Sequence, residues 1–422
     1  MAQQQPLQYF RANNKMGLNT FETTKNDTTS FTGMHVRIGG NFTQEFQGLV
    51  QENSSTPVMV NGVNINQLTK LTNGFNLAMA NLNIDAQLED GIRMNLTLYL
   101  SSRHHEETWV KGGYVQIDKL LFLKSEAIDK IMKSFTVKIG DYELDYGDQH
   151  FRRTDGGNSI YNPFVENYIM DAFATEIGGE IYYHPKNGII AMVGITNGEL
   201  NPTVIASTKK DTLTGNLNKY PPAFHGKIGY DKQINDDLRV RITGSFYAVK
   251  SAASNTLFSG DRTGSHYFFA MENTLATVDA NFRSGRYTPN FSQQVTTFMI
   301  NPFVKFYGIE LFGTYEMAQG RTITEVNTRK ATQYAVDLIY RFPQQKENFW
   351  IAGRYNSLTA NLPVSLTEIT INRAVGSIGW FVTKNIMMKA EYVNQQYKNF
   401  AATDIRSGGM FNGFMVSAAI GF

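Results

Sequence analysis

Charged side chains two residues apart on a strand share a face and can act together. Arg239 and Arg241 meet that condition and are the expected local basic patch of the inward wall. A second concentration lies in 145–174, where Asp145, Asp148, Asp155, Glu166 and Asp171 accompany Arg152 and Arg153. Acids and bases facing one another across a narrow aqueous gap make a transverse field that orders polar solutes. The same groups joined in salt bridges would pin the segment to its support, and both readings are open at this point. Asp141, Glu143 and Asp145 offer the oxygen ligands that calcium takes, but their spacing departs from the EF-hand loop and solvated carboxylates are the simpler reading. His104-His105-Glu106 are adjacent, so their side chains diverge and do not readily share a metal. Hydrolytic chemistry needs a nucleophile or activated water, a base and an orienting group. With only 7 His, the one imidazole worth weighing as a base is His150 beside Asp148. No catalytic, metal or cofactor site is expected, and a net charge of +2 gives no reason to invoke nucleic acid.

The elements that must carry these groups show a period of two. Leu238, Val240, Ile242, Gly244, Phe246 and Ala248 share one face, against Arg239, Arg241, Thr243, Ser245 and Tyr247. Met94, Leu96, Leu98 and Leu100 alternate with Arg93, Asn95, Thr97, Tyr99 and Ser101. Such runs predict sixteen strands, at 34–52, 74–89, 91–102, 108–122, 134–144, 175–185, 188–198, 222–232, 237–251, 295–307, 309–319, 330–343, 347–357, 368–383, 386–398 and 410–422. Connections alternate between short ones, near Asp90, Pro185, Asn235, Gly308, Gln345 and Lys384, and long ones at 53–73, 145–174, 199–221 and 252–294. Segment 123–133 is predicted as a helix of one or two turns on the short-turn side.

The strand that ends the chain is the most informative. Met410, Phe414, Val416, Ala418, Ile420 and Phe422 occupy one face; Gly413, Ser417, Ala419 and Gly421 the other, with Phe411 and Met415 as exceptions. No run of 18 apolar residues exists, so no helix spans a bilayer, but strands of this length do so when tilted. A mean hydropathy of −0.30 agrees, because alternation hides apolarity from any average. The expected fold is therefore all-β: a transmembrane antiparallel up-and-down barrel over 34–422, with short periplasmic turns and long external loops. A large soluble sandwich or propeller also alternates, but would not place Arg, Glu, Asp and Lys well inside nearly every strand. Residues 1–33 are expected as a periplasmic or lumen-packed segment. The start, Met1-Ala-Gln-Gln-Gln-Pro, is read as that of a mature chain whose leader has been removed. Cysteine is absent, which rules out disulfides and thiolate sites.

The inward faces carry ten cations and ten anions, among them Arg37, Glu45, Arg93, Arg239, Arg241, Glu310, Asp337, Arg341, Arg354 and Lys389. This balance leaves no net field to choose an ion's sign. Aromatics near strand ends, including Trp109, Tyr114, Tyr315, Tyr340, Phe342, Phe349 and Trp380, are expected in interfacial girdles.

Three stretches carry a resemblance. They are Gly17-Leu-Asn-Thr-Phe-Glu-Thr, Asp141-Tyr-Glu-Leu-Asp-Tyr-Gly-Asp-Gln-His-Phe-Arg-Arg-Thr-Asp-Gly-Gly-Asn-Ser-Ile-Tyr-Asn-Pro-Phe-Val-Glu-Asn-Tyr-Ile-Met-Asp-Ala-Phe, and Asn301-Pro-Phe-Val-Lys-Phe-Tyr-Gly-Ile-Glu-Leu-Phe-Gly-Thr-Tyr-Glu. Through them the chain resembles a family of porin-like outer-membrane proteins of Bacteroidota. The resemblance implies a porin-type barrel of the outer membrane. Sixteen strands with polar inward faces add the expectation that small hydrophilic solutes diffuse through it, and the residues suggest neither enzymatic activity nor a cofactor. By analogy with sixteen-stranded porins, the third external loop, 145–174, narrows the channel through Asp145, Asp148, Arg152, Arg153 and Asp155. Phe414, Val416, Ile420 and Phe422 resemble the signal strand read by the barrel-assembly machinery. Lipid, a homo-oligomer or an envelope protein complex are the other partners expected. A plugged barrel serving as a structural partner is the alternative reading.

Overall fold

A strand with one oily face and one polar face is stable in a bilayer only if its backbone is paired on both sides. The computed structural model, which describes residues 5–76, 79–101, 108–155, 157–200 and 204–422, solves this by closing one sheet on itself. Its long strands are β1 (His35–Glu52), β2 (Met79–Glu89), β3 (Ile92–Ser101), β4 (Trp109–Ile117), β5 (Phe135–Glu143) and β6 (Thr175–Tyr183). There follow β7 (Ile189–Thr196), β8 (Ala223–Gln233), β9 (Leu238–Val249), β10 (Gln294–Phe306) and β11 (Ile309–Arg321). The last five are β12 (Arg329–Phe342), β13 (Phe349–Asn361), β14 (Glu368–Thr383), β15 (Ile386–Lys398) and β16 (Met410–Gly421). Each pairs antiparallel with its sequence neighbour, and β1 pairs with β16 from Asn41 opposite Gly421 to Glu52 opposite Met410. Phe422 completes the seam through two 3.0 Å backbone hydrogen bonds with Gly40.

All sixteen strands lie where the alternation predicts them. The differences are at ends. β4 stops at Ile117 rather than 122, where Asp118 turns inward to accept from Lys25 Nζ at 3.0 Å. The expected strand 74–89 is interrupted: Gly74–Phe75 pairs with Phe46 and Gln47, and β2 begins at Met79. A helix, Glu126–Met132, forms on the short-turn side, its first turn capped by Ser125 Oγ.

The outward face is apolar. Ile351 is 56% exposed while the neighbouring Trp350 is 2% exposed. Near the short turns Phe342, Phe349 and Trp380 stack at 5.8 Å steps, and Tyr340 joins Phe342 at 5.6 Å. At the opposite end Tyr334 and Tyr355 pack 6.1 Å apart. One expected girdle residue points inward instead: Tyr114 lines the lumen under the Lys138 ammonium at 4.9 Å, whereas Trp109 is exposed under the Arg262 guanidinium at 5.2 Å. Tyr114 sits on the strand face that also carries Gln116, so parity, not nearness to a strand end, decides its direction.

The core is inside the barrel. Ile160, Phe164, Val165, Ile169 and Met170 of the loop 144–174 form one buried cluster with Tyr267, Met271, Tyr287 and Phe291 of the loop 250–293 and with inward Ile339, Trp350, Val375, Phe411 and Met415. The expectation of a wet interior all round is thus corrected. Strands β10 to β16 present apolar residues on their inward face as well, and two long loops cover them.

Candidate functional site

The loop 144–174 lies in the lumen and is fixed there by charge pairs. Asp148 accepts from Arg241 at 2.7 and 2.8 Å, from Thr243 Oγ1 at 2.9 Å and from Lys227 at 3.1 Å. Asp145 accepts from Lys227 and faces His150 Nε2 at 2.8 Å. Arg153 donates to Asp155 and Asp171, both at 2.6 Å, and Arg286 reaches Asp155 at 2.8 Å from the loop 250–293. Arg152 donates to Asn19 at 2.8 Å and lies 4.5 Å over the Phe312 ring. Burial opposes ionisation of Asp145, but Lys227 and His150 overcome it and hold its carboxyl down to about 2. Burial likewise opposes ionisation of Asp155, and Arg286 and Arg153 hold it well below the usual carboxylate range.

The wall charges face the lumen and are also paired. Arg239 binds Asp231 at 2.9 and 2.7 Å, Arg341 binds Glu310 at 2.9 Å, and Arg354 binds Asp337 at 2.7 and 2.8 Å. Lys389 donates to loop carbonyls at Asn162 (3.1 Å) and Phe164 (2.7 Å). Glu45 meets His266 at 2.7 Å, and Arg37 lies 3.9 Å over the Phe10 ring. Most of these residues are covered by the loops or by the N-terminal segment rather than bordering open space.

Open space remains on one side. An off-axis cavity of about 300 Å³ lies between the inward faces of β2 to β6 and a second wall made by the N-terminal segment and the loop 144–174. Of the residues singled out from sequence, Arg93, Tyr114, Asp141, Glu143, Asp145, His150, Arg153 and Asp155 line it. Asp148, Arg152, Arg37, Glu45, Arg239, Arg241, Glu310, Asp337, Arg341, Arg354 and Lys389 do not; their side chains are spent on the pairs and contacts described above. Sequence reasoning missed Asn81, Asn83 and Lys111; it put Asn95, Thr97 and Lys138 on inward faces without assigning them to a site. The signal was there, since β2 and β3 carry uncharged polar residues at consecutive inward positions while later strands carry bulky ones.

The N-terminal segment crosses the short-turn mouth of the barrel from wall to wall. Gln8 binds Asp90 at 2.8 Å, the Lys15 amide binds Lys384 O at 2.8 Å, Asn19 binds Glu310 at 2.5 Å, and Glu22 takes Lys227 at 3.1 Å. Lys25 ends the circuit at Asp118 and Phe135 O. Phe21 anchors it, edge-on to Phe151 at 5.6 Å and to Phe303 at 5.4 Å. Arg11 lies 3.8 Å over Tyr161 and donates to Phe151 O at 3.0 Å, joining segment and loop into one surface.

The calcium reading of Asp141 to Asp145 is not supported: Asp145 is spent on Lys227 and His150, Glu143 lies 3.8 Å from Arg153, and no group of three candidate ligands converges among the described residues. His104-His105-Glu106 lie outside the described residues.

No protein-family model matches the chain, and no curated protein matches it. Among solved structures it is similar to OprB of Pseudomonas putida, at TM-score 0.51 and 9% identity over 92% of this chain and 94% of that one. It is also similar to the outer-membrane channel DcaP of Acinetobacter baumannii (TM-score 0.49, 10% identity, 93% and 99% covered) and to an anion-selective porin of Comamonas acidovorans (0.49, 10%, 92% and 100%). The likeness to OprB is one of fold: a transmembrane β-barrel of sixteen long strands.

Proposed function

We propose that this protein is an integral outer-membrane channel through which small hydrophilic solutes diffuse passively, confined to the β2–β6 side of the lumen. The observation that carries the reading is the polar cavity between those strands and the second wall. Half of the lumen is filled, so the open half sets the passage. The charges of the loop 144–174 act first as fasteners for that second wall, and Arg153, Asp155 and Asp145 also border the gap. No residue at the cavity is assigned a catalytic role. The porin-like proteins of Bacteroidota remain the family it resembles. Phe414 and Phe422, on the outward face of the closing strand, suit recognition by the barrel-assembly machinery, together with Val416 and Ile420.

Planar-bilayer recording of the purified, folded protein tests this. Small, discrete conductance steps are expected, and complete silence would reject passive transport. The filled half of the lumen favours a second reading, a closed barrel acting as a partner in an envelope complex. That reading requires silence in the bilayer together with co-purification in fixed stoichiometry.

A further inference from the structure

The chemistry of the cavity wall narrows the class of solute. We infer that the cavity is a subsite for uncharged polyhydroxylated solutes of about hexose size, an inference that rests on the channel reading above. Most of its fixed charges are already paired. Arg93 lies 3.8 Å from Asp85, Lys138 3.3 Å from Glu180, Arg153 2.6 Å from Asp155, and Lys111 is paired with Asp261. An ion entering such a place loses hydration and meets few unpaired counter-charges in return. A neutral polyol only exchanges hydrogen bonds with water for hydrogen bonds with the wall.

Unspent hydrogen-bonding capacity lies on amides (Asn13 Nδ2, Asn81 Oδ1), on the Tyr142 hydroxyl and on Arg93 Nε, among other lining groups. Thr97 Oγ1 sits 2.8 Å from Asn83 Oδ1 and 2.9 Å from Asn95 Oδ1, and Asn95 Nδ2 donates to Asp85 at 3.0 Å. The single Thr97 hydroxyl hydrogen is shared between the two amide oxygens, and Asn83 lines the cavity beside them. Asn81, one step along the same face, is 8% exposed, and its Oδ1 has no protein partner. Donors and acceptors held at strand spacing suit a ring that bears hydroxyls on successive carbons. Phe10 and Tyr114 add ring surface to the lining, which accommodates the C–H faces of such a molecule. The volume, about 300 Å³, lies at the small end of the roughly 300–1,000 Å³ range of small-molecule sites.

Swelling of liposomes containing the full-length protein, in isosmotic glucose, gluconate or glucosamine, tests the inference. Glucose should enter faster than either charged analogue by about 3- to 10-fold, the effect of one net hydrogen bond. Asn83→Leu combined with Thr97→Val should bring the glucose rate down to that of gluconate, and Asn95→Ala should do so in part. Heat-shifted gel migration reports that each variant is folded. Equal rates for all three solutes through the unaltered protein would overturn the subsite and leave the channel standing. Glucose entry at full rate through the folded double variant would overturn it too. Absence of swelling with every solute, together with electrical silence, would reject both the subsite and the channel.

Discussion

His266 shows how single residues hold the inner wall. Its Nδ1 lies 2.7 Å from Glu45 of β1, and its Nε2 lies 3.1 Å from Thr154 O and 3.7 Å from Asp155 of the inserted loop. Burial alone would lower its pKa, but Glu45, Asp155 and Glu166 outweigh that and push it up to about 10. A folded value above the unfolded one of about 6.5 gives stability that is complete below about 6.5 and lost as pH rises toward 10. Thermal unfolding followed from pH 6 to pH 10 should therefore show a steeper alkaline loss for the native protein than for His266→Gln; parallel curves would refute the assignment. Asp148→Ala leaves Arg241 and Lys227 buried without their shared carboxylate, a loss of about 3–5 kcal/mol. It should appear as a lowered urea midpoint. Residue direction was legible from sequence because a period of two leaves no choice of face. Whether Glu310 or Asn81 borders water was not, since that depends on what covers each one from the far side of the lumen.

Elements divide in the same way. The strands announced themselves, yet the segment before β1 did not, because its run from Thr23 to Ser30 has no periodicity and its route is set by contacts with strands far along the chain. The filled half of the lumen was written in the exceptions: Phe411 and Met415 break the alternation of β16, and Phe312 breaks that of β11, where loop residues pack against them. Where both faces of a membrane strand are apolar, one faces lipid and the other a protein core. Removal of residues 5–30 takes away the strap across the short-turn mouth and should raise single-channel conductance. Unchanged conductance would place the narrowest point elsewhere. Phe21→Ala should loosen the same strap, at a cost of about 3–5 kcal/mol for a buried Phe, and shift proteolytic cleavage toward the N-terminus.

For the whole molecule, lipid is the outer solvent. Ile351 lies in mid-strand on the exposed face, so Ile351→Arg should destabilise the folded barrel by about 2–4 kcal/mol in bilayers. A negligible change in the refolding equilibrium would argue against a lipid-facing wall there. Sequence made the closed sheet legible, because the oily alternates run through every strand to the last residue. The off-centre opening was not legible, since it results from two loops and a leading segment meeting inside.

That meeting limits how the barrel can respond to its surroundings. If the loop 144–174 swung outward, the Ile160, Phe164, Val165, Ile169 and Met170 that it carries would leave the buried cluster. At about 1.5–3 kcal/mol for each large side chain, the sum is on the order of ten kcal/mol. Hinged opening of that loop is therefore closed to this protein. In a channel so built, control of passage would fall to the leading segment at the short-turn mouth rather than to this loop.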